Sequence, residues 1–186
     1  MTVTSEEISA VLARYLAAHP DRGTDVARLI AALDSGRDLT SRKTFPLHIT
    51  CSAAVAADGR VLVIHHRTLD RWLLPGGHVE PEDHSLYGAA LRELEEETGV
   101  AWRRAVSPPA YDVVPVDVDV HEIPANLAKG EPEHLHADFR FAFRVEDSEI
   151  SLQSEEVTAF DWRAPADLPT PRLAGGAFRS GGWWPV

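Results

Sequence analysis

Apolar residues near the start of the chain recur at helical spacing. Ile8, Val11, Leu12, Tyr15 and Leu16 fall at i, i+3, i+4, i+7 and i+8, which predicts an amphipathic helix. Thr4 and Glu7 form a capping box at its start, and His19-Pro20 ends it. A second stripe of Val26, Leu29, Ile30 and Leu33 predicts a helix near Asp25 to Ser35, stopped by Gly36. These two helices make an N-terminal extension over residues 1–45, expected to bury its stripe on the domain that follows. From His48 the period changes to two. Ile49, Cys51, Ala53 and Val55 alternate with Thr50, Ser52 and Ala54, as a strand requires. Asp58-Gly59 is a hairpin turn signal, and Val61 to Ile64 reads as a buried strand behind it. Trp72-Leu73-Leu74 leads into a glycine-rich turn. Further alternating runs cover Val116 to His121, His134 to Phe143 and Ala159 to Trp162. Between the early and late strands lies one more helix, with Leu86, Ala90, Leu91 and Leu94 as its apolar stripe and Gly99 as its left-handed stop. Strands on both sides of a helix, joined partly by hairpins, indicate an α/β domain with a mixed sheet.

The polar side of that central helix is dense in acid. Arg92, Glu93, Glu96 and Glu97 share one face, because spacings of three and four bring side chains together. Like charges at such spacing repel by roughly 0.2–0.5 kcal/mol per pair. The cluster is therefore either a solvated face pointing away from the core or a site for a hard cation. Oxygen-rich carboxylate sets suit Mg2+ or Mn2+. Directly upstream, Pro75-Gly76-Gly77 forces a tight turn and lets the backbone approach a ligand closely. The helix starts near Asp83 or Ser85, either of which can cap it.

Composition narrows the class. The 186 residues suit one domain with an appendage, and 44% hydrophobic content supplies a core. A net charge of −11 leaves no basic footprint for a nucleic-acid polymer. No apolar run is long enough to span a membrane, and Met1 to Glu7 does not read as a signal peptide. The single Cys51 rules out an internal disulfide framework, so a cytoplasmic enzyme is the default expectation. An acidic protein acting on anionic phosphates needs cations to bridge like charges.

The stretch Gly77 to Val100, GHVEPEDHSLYGAALRELEEETGV, resembles the Nudix box, whose pattern is G-x5-E-x7-R-E-U-x-E-E-x-G-U with U aliphatic. Gly77, Arg92, Glu93, Leu94, Glu96, Glu97, Gly99 and Val100 match it. Asp83 stands where the pattern has its first Glu, and eight residues rather than seven separate it from Arg92. Asp83 is therefore read as a structural cap, with Glu80 or Glu82 as substitutes for the missing function. The resemblance covers about residues 46–170 and implies an α/β/α sandwich around a mixed sheet. It also implies hydrolysis of a diphosphate, often in a nucleoside diphosphate-X compound. By the same analogy Glu93, Glu96 and Glu97 are metal ligands for Mg2+ or Mn2+, and Glu96 has water activation as a second candidate role. Arg92 fixes the rotamer of a neighbouring Glu. Gly76 and Gly77 approach the substrate, and homodimers are frequent. The general base can lie outside the box, with Glu155 and Glu156 as candidates.

Other readings remain open. An isopentenyl-diphosphate-isomerase-like enzyme would need a catalytic Cys, but Cys51 sits mid-strand in an apolar row. A non-catalytic Nudix ligand-sensing module would be expected to lose Glu96 or Glu97, which are intact. His134, His136 and Asp138 share a strand face; they suit a transition metal, a substrate contact by His136 and Asp138, or a solvated polar network. The segment Ile123 to Glu133, with Asn126, Lys129 and Gly130, is a candidate specificity loop. Residues 171–186 read as a tail packing on the domain, with Trp183-Trp184 as its apolar anchor or a stacking surface for substrate. Which diphosphate is cleaved is not written in the box.

Overall fold

The computed structural model describes residues 2–127, 130–152, 155–170 and 172–173. Lys129, Ser154, Trp183, Trp184 and nearly all of the 171–186 tail lie outside the described residues. Helices α1 (Ser5–Ala18) and α2 (Ala27–Asp34) come first. Strands β1 (Leu47–Ala57), β2 (Arg60–His66), β3 (Arg71–Leu73) and β4 (Gly76–His78) follow, then helix α3 (Leu86–Thr98). Strands β5 (Asp117–Ile123), β6 (His134–Arg144) and β7 (Val157–Arg163) complete the sheet. Its order is β3-β2-β1-β6-β5, with β4 also paired to β1 and β7 to β2. The β1–β6 pair is parallel and the rest are antiparallel, so the sheet is mixed, within an α/β/α sandwich. Among the described residues, no helix is long and apolar enough to cross a membrane.

Local chemistry explains the elements. Asp58 and Gly59 both take positive φ, 46° and 78°, which is the turn that matches strand twist in a two-residue hairpin. Thr4 accepts a hydrogen bond from the Glu7 N–H at 3.2 Å, and α1 ends at His19 before Pro20. The expected return bond from Glu7 does not form. Its carboxylate instead accepts the Leu86 N–H at 2.9 Å, at the first turn of α3. Val3 N–H also reaches the Asp83 carbonyl. The extension therefore holds the start of the central helix, and its residues Ile8, Val11, Tyr15 and Leu29 belong to the same apolar cluster as β1, β6 and α3.

The pleat of β1 separates two faces. Leu47, Ile49, Cys51, Ala53 and Val55 join the cluster that includes Leu86, Ala90 and Leu94 of α3. On the other face Ala54 and Ala56 pack with Val61, Val63, Leu168 and Leu173. Towards its start this second face turns polar, with His48, Thr50 and Ser52 buried. Beside them on β6, the Arg140 guanidinium donates to Asp117, Asp119 and Asp138 at 2.8–2.9 Å. Arg140 is only 7% exposed, so its charge is what makes burial of the surrounding carboxylates tolerable.

Removing that guanidinium leaves buried carboxylates uncompensated. Arg140→Met should cost about 3–5 kcal/mol of unfolding free energy. Urea denaturation checks this, and a loss below about 1 kcal/mol would rule out the hub.

Candidate active site

Helix α3 is capped by Ser85, whose Oγ accepts the Gly88 N–H at 2.9 Å, and it closes at Gly99 with φ 69°. Asp83 is not that cap. Its carboxylate accepts the Glu80 N–H at 2.8 Å and grips Arg92 with two bonds, Nε to Oδ1 and Nη2 to Oδ2, each 3.0 Å. The one-residue insertion thus keeps an acid opposite the arginine. Glu80 and Glu82 are exposed and take no part in that grip.

Arg92 gathers the rest of the site. Its Nη1 donates to Glu93 at 3.0 Å and to Glu96 at 2.9 Å, and its Nη2 donates to the His78 carbonyl at 2.9 Å. The expected pairing of Arg92 with a neighbouring Glu is thus seen for both Glu93 and Glu96. The acidic face does not simply point to solvent. Glu97 is 6% exposed, and its carboxylate accepts the Gly76 N–H at 3.0 Å. Glu93 lies against Gly77 so closely that a Cβ there would sit 2.5 Å from Oε1. A Cβ on Gly76 would meet Ser52 Oγ at 2.5 Å on the opposite face. Gly76 is required by close approach to the β1 main chain, and Gly77 leaves room for the Glu93 carboxylate. Glu96 remains open to solvent at the rim.

Burial dominates the electrostatics. Desolvation pushes the Glu93 carboxyl up to about 7, partly opposed by Arg92. It pushes Glu97 up to about 8, opposed by the Gly76 N–H and reinforced by the charges of Glu93 and Glu156. Two buried carboxylates with hard oxygen donors, held on one helical face beside an exposed third, fit a divalent cation. Such an ion would restore the ionised form of both.

The other expected residues are distributed around this centre. Glu155 and Glu156 are exposed just before β7, and the charge of Glu156 acts on Glu97. Asp138, expected at the substrate, is 6% exposed, and it accepts hydrogen bonds from Thr50, Ser52 and Arg140. Those donors make it a structural partner of Arg140. His136 is half-buried on the same strand face, close to His48 and His78. Sequence reasoning missed His48 and His78; their only signal was a His in an otherwise alternating strand and another directly after the glycine pair. Cys51 is fully buried and its thiol is pushed up by desolvation, which removes support for an isomerase-type reactive cysteine.

The NUDIX domain description matches residues 46–180. A probable DHNTP pyrophosphohydrolase of Lactococcus lactis is 32% identical over 126 residues, covering 67% of this chain and 71% of that protein. The m7GpppN-mRNA hydrolase NUDT17 of Bos taurus is 33% identical over 100 residues, covering 50% of this chain and 32% of its own length. The chain thus spans about a third of that relative. A crystal structure of a C. elegans Ap4A hydrolase binary complex overlays with a TM-score of 0.50 at 18% identity, covering 64% of this chain and 81% of that one, a likeness of fold alone.

The raised carboxyls carry a pH signature. Both bind protons more tightly in the folded chain than at their ordinary value of 4.5. Between about 4.5 and about 8 the folded state therefore holds more protons than the unfolded state, and their contribution to stability falls as pH rises. Melting of the metal-free protein should decline more steeply across this window than that of a Glu93→Gln, Glu97→Gln double variant. Equal slopes would contradict the buried placement.

Proposed function

The chain belongs to the NUDIX family and is a hydrolase of phosphoric anhydride bonds; from that premise we propose that it cleaves the pyrophosphate bond of a nucleoside diphosphate-X type substrate with Mg2+ or Mn2+. The observation that carries the reading is the seating of Glu93 and Glu97 against Gly76-Gly77. Divalent metal use is typical of the family. Glu93 and Glu97 would hold the ion, and Glu96, open at the rim, is a further ligand or orients water. When bound, the ion neutralises phosphate charge and acidifies a coordinated water. Phosphoryl transfer then depends mainly on positioning and charge stabilisation.

The chain's own groups do the positioning. Arg92, gripped by Asp83, holds Glu93 and Glu96 in fixed rotamers. Gly76 and Gly77 let the main chain approach the diphosphate without side-chain obstruction. Glu156 is the preferred general base over Glu155, because its charge already acts on Glu97. The intact Arg92, Glu93, Glu96 and Glu97 argue against a purely sensing module.

The test is turnover of a panel of diphosphates, including nucleotide sugars, ADP-ribose, dinucleoside polyphosphates and DHNTP, with added Mg2+ or Mn2+. Released phosphate is read with and without a phosphatase. Metal-dependent turnover is expected, with Glu93→Gln and Glu97→Gln each lowering kcat by roughly 10²–10⁴. Metal binding without turnover across the panel would favour the sensing module. In the same assay Glu156→Gln should lower kcat by about 10² while Glu155→Gln leaves it within a few-fold. The reverse order would move the base to Glu155.

A further inference from the structure

A set of imidazoles stands on the face of β4 opposite the carboxylates. Thr50 pairs with His78, Cys51 with Gly77 and Ser52 with Gly76, so Gly77 looks towards Glu93 while His78 looks the other way. His48 pairs with His136 across the parallel β1–β6 ladder, which brings it to the same face. Ring centroids of His48, His78 and His136 lie 4.7–5.3 Å apart. One nitrogen from each lies within 4.8 Å of the others.

The tautomer of His48 can be read from its partners. Its Nδ1 lies 3.2 Å from the Thr44 carbonyl, which can only accept, so Nδ1 carries the proton. That leaves Nε2 as a lone pair. Nε2 is buried and has no hydrogen-bond partner, in a residue only 1% exposed. A buried unpartnered acceptor on a ring packed among other imidazoles needs an explanation. An Nδ1–H bonded to a main-chain carbonyl is also the arrangement that orients ligating histidines. His134 repeats it, with Nδ1 at 2.7 Å from the Pro132 carbonyl and Nε2 at 3.3 Å from Nε2 of His136.

We propose that His48, His78 and His136 form a binding site for a transition-metal dication of the zinc class, separate from the carboxylate centre. Nitrogen donors choose such ions over Mg2+. Burial lowers the proton affinity of all three rings, with His78 at about 4, so the neutral form needed for ligation is present at neutral pH. Zn–N bonds of about 2.0–2.1 Å put tetrahedral donors about 3.4 Å apart, so the rings close in slightly on binding. Three protein ligands leave a fourth position, which water or the neighbouring His134 can fill.

The test reads metal binding, not turnover, so it stands or fails separately from the hydrolase reading. The full-length protein is titrated with Zn2+ by calorimetry, and with Co2+ by visible absorption, in excess Mg2+. One equivalent should bind despite the Mg2+, with the intense absorption of a four-coordinate Co2+ ion. Binding should persist in the Glu93→Gln, Glu97→Gln double variant. His78→Gln and His136→Gln, at half-buried positions with folding checked by circular dichroism, should each weaken Zn2+ by more than about ten-fold. The proposal is overturned if wild-type protein binds no Zn2+ under Mg2+, if the histidine variants bind equally well, or if binding vanishes with the glutamates.

Discussion

The close approach of Gly76 and Gly77 to their neighbours is the constraint on which the rest of the site depends. Gly76 has Ser52 Oγ and the Cys51 carbonyl where a Cβ would be, and Gly77 has the Glu93 carboxylate there. A side chain at Gly76 would push β4 off the β1 main chain, and one at Gly77 would displace the Glu93 carboxylate. Because neither has one, Glu97 reaches the Gly76 N–H and Arg92 reaches the His78 carbonyl. The helix is thereby fixed to the strand by two polar contacts that also aim its acids. The N-terminal extension adds a third restraint through Glu7 on the Leu86 N–H.

Burying this much acid is managed by two arginines in different ways. Arg140 is deep, and three carboxylates satisfy it within the sheet face. Its Nε and both Nη atoms each donate to one of these carboxylates. Arg92 is shallower and shared between Asp83, Glu93 and Glu96. Only one of its acids, Asp83, takes a two-bond grip. Glu93 stays raised despite the arginine, and Glu97 receives only a main-chain N–H as described partner. The charge deficit is therefore concentrated at Glu93 and Glu97, where a divalent cation would act.

Features set by spacing along one element were legible in the sequence. The helical stripes, the Asp58-Gly59 hairpin, the Gly99 stop and the shared face of Arg92, Glu93, Glu96 and Glu97 all follow from local periodicity. What was not legible depends on pairing between distant segments. Asp83 looked like a cap, and only the folded loop shows it gripping Arg92. Glu7 looked like half of a capping box, and only the packing of α1 beside α3 shows where its carboxylate goes. The strand pattern puts Asp138 on the face of His136, and only the sheet shows which donors it accepts from. Two of the donors it accepts from, Thr50 and Ser52, lie on β1, 86 residues or more upstream, and the third, Arg140, is two residues on along its own strand. His48 and His78 escaped notice for the same reason, since each is a lone histidine until the register of β1 with β4 and β6 is known.

Strand alternation then explains how one three-residue strand serves two kinds of donor. Gly77 gives its face to the Glu93 carboxylate of α3, and His78, one residue on, gives an imidazole to the opposite face. Hard oxygen donors suit Mg2+ or Mn2+, whereas imidazoles suit zinc-class ions. A slip of one residue in the β1–β4 register would exchange the two faces. His78 would then meet Glu93, and a glycine would face His48 and His136. Pairing of Thr50, Cys51 and Ser52 with His78, Gly77 and Gly76 is therefore what keeps the two donor sets apart. The Arg92 bond to the His78 carbonyl ties that register to the acid cluster, because it reaches the main chain of the same residue whose side chain faces away.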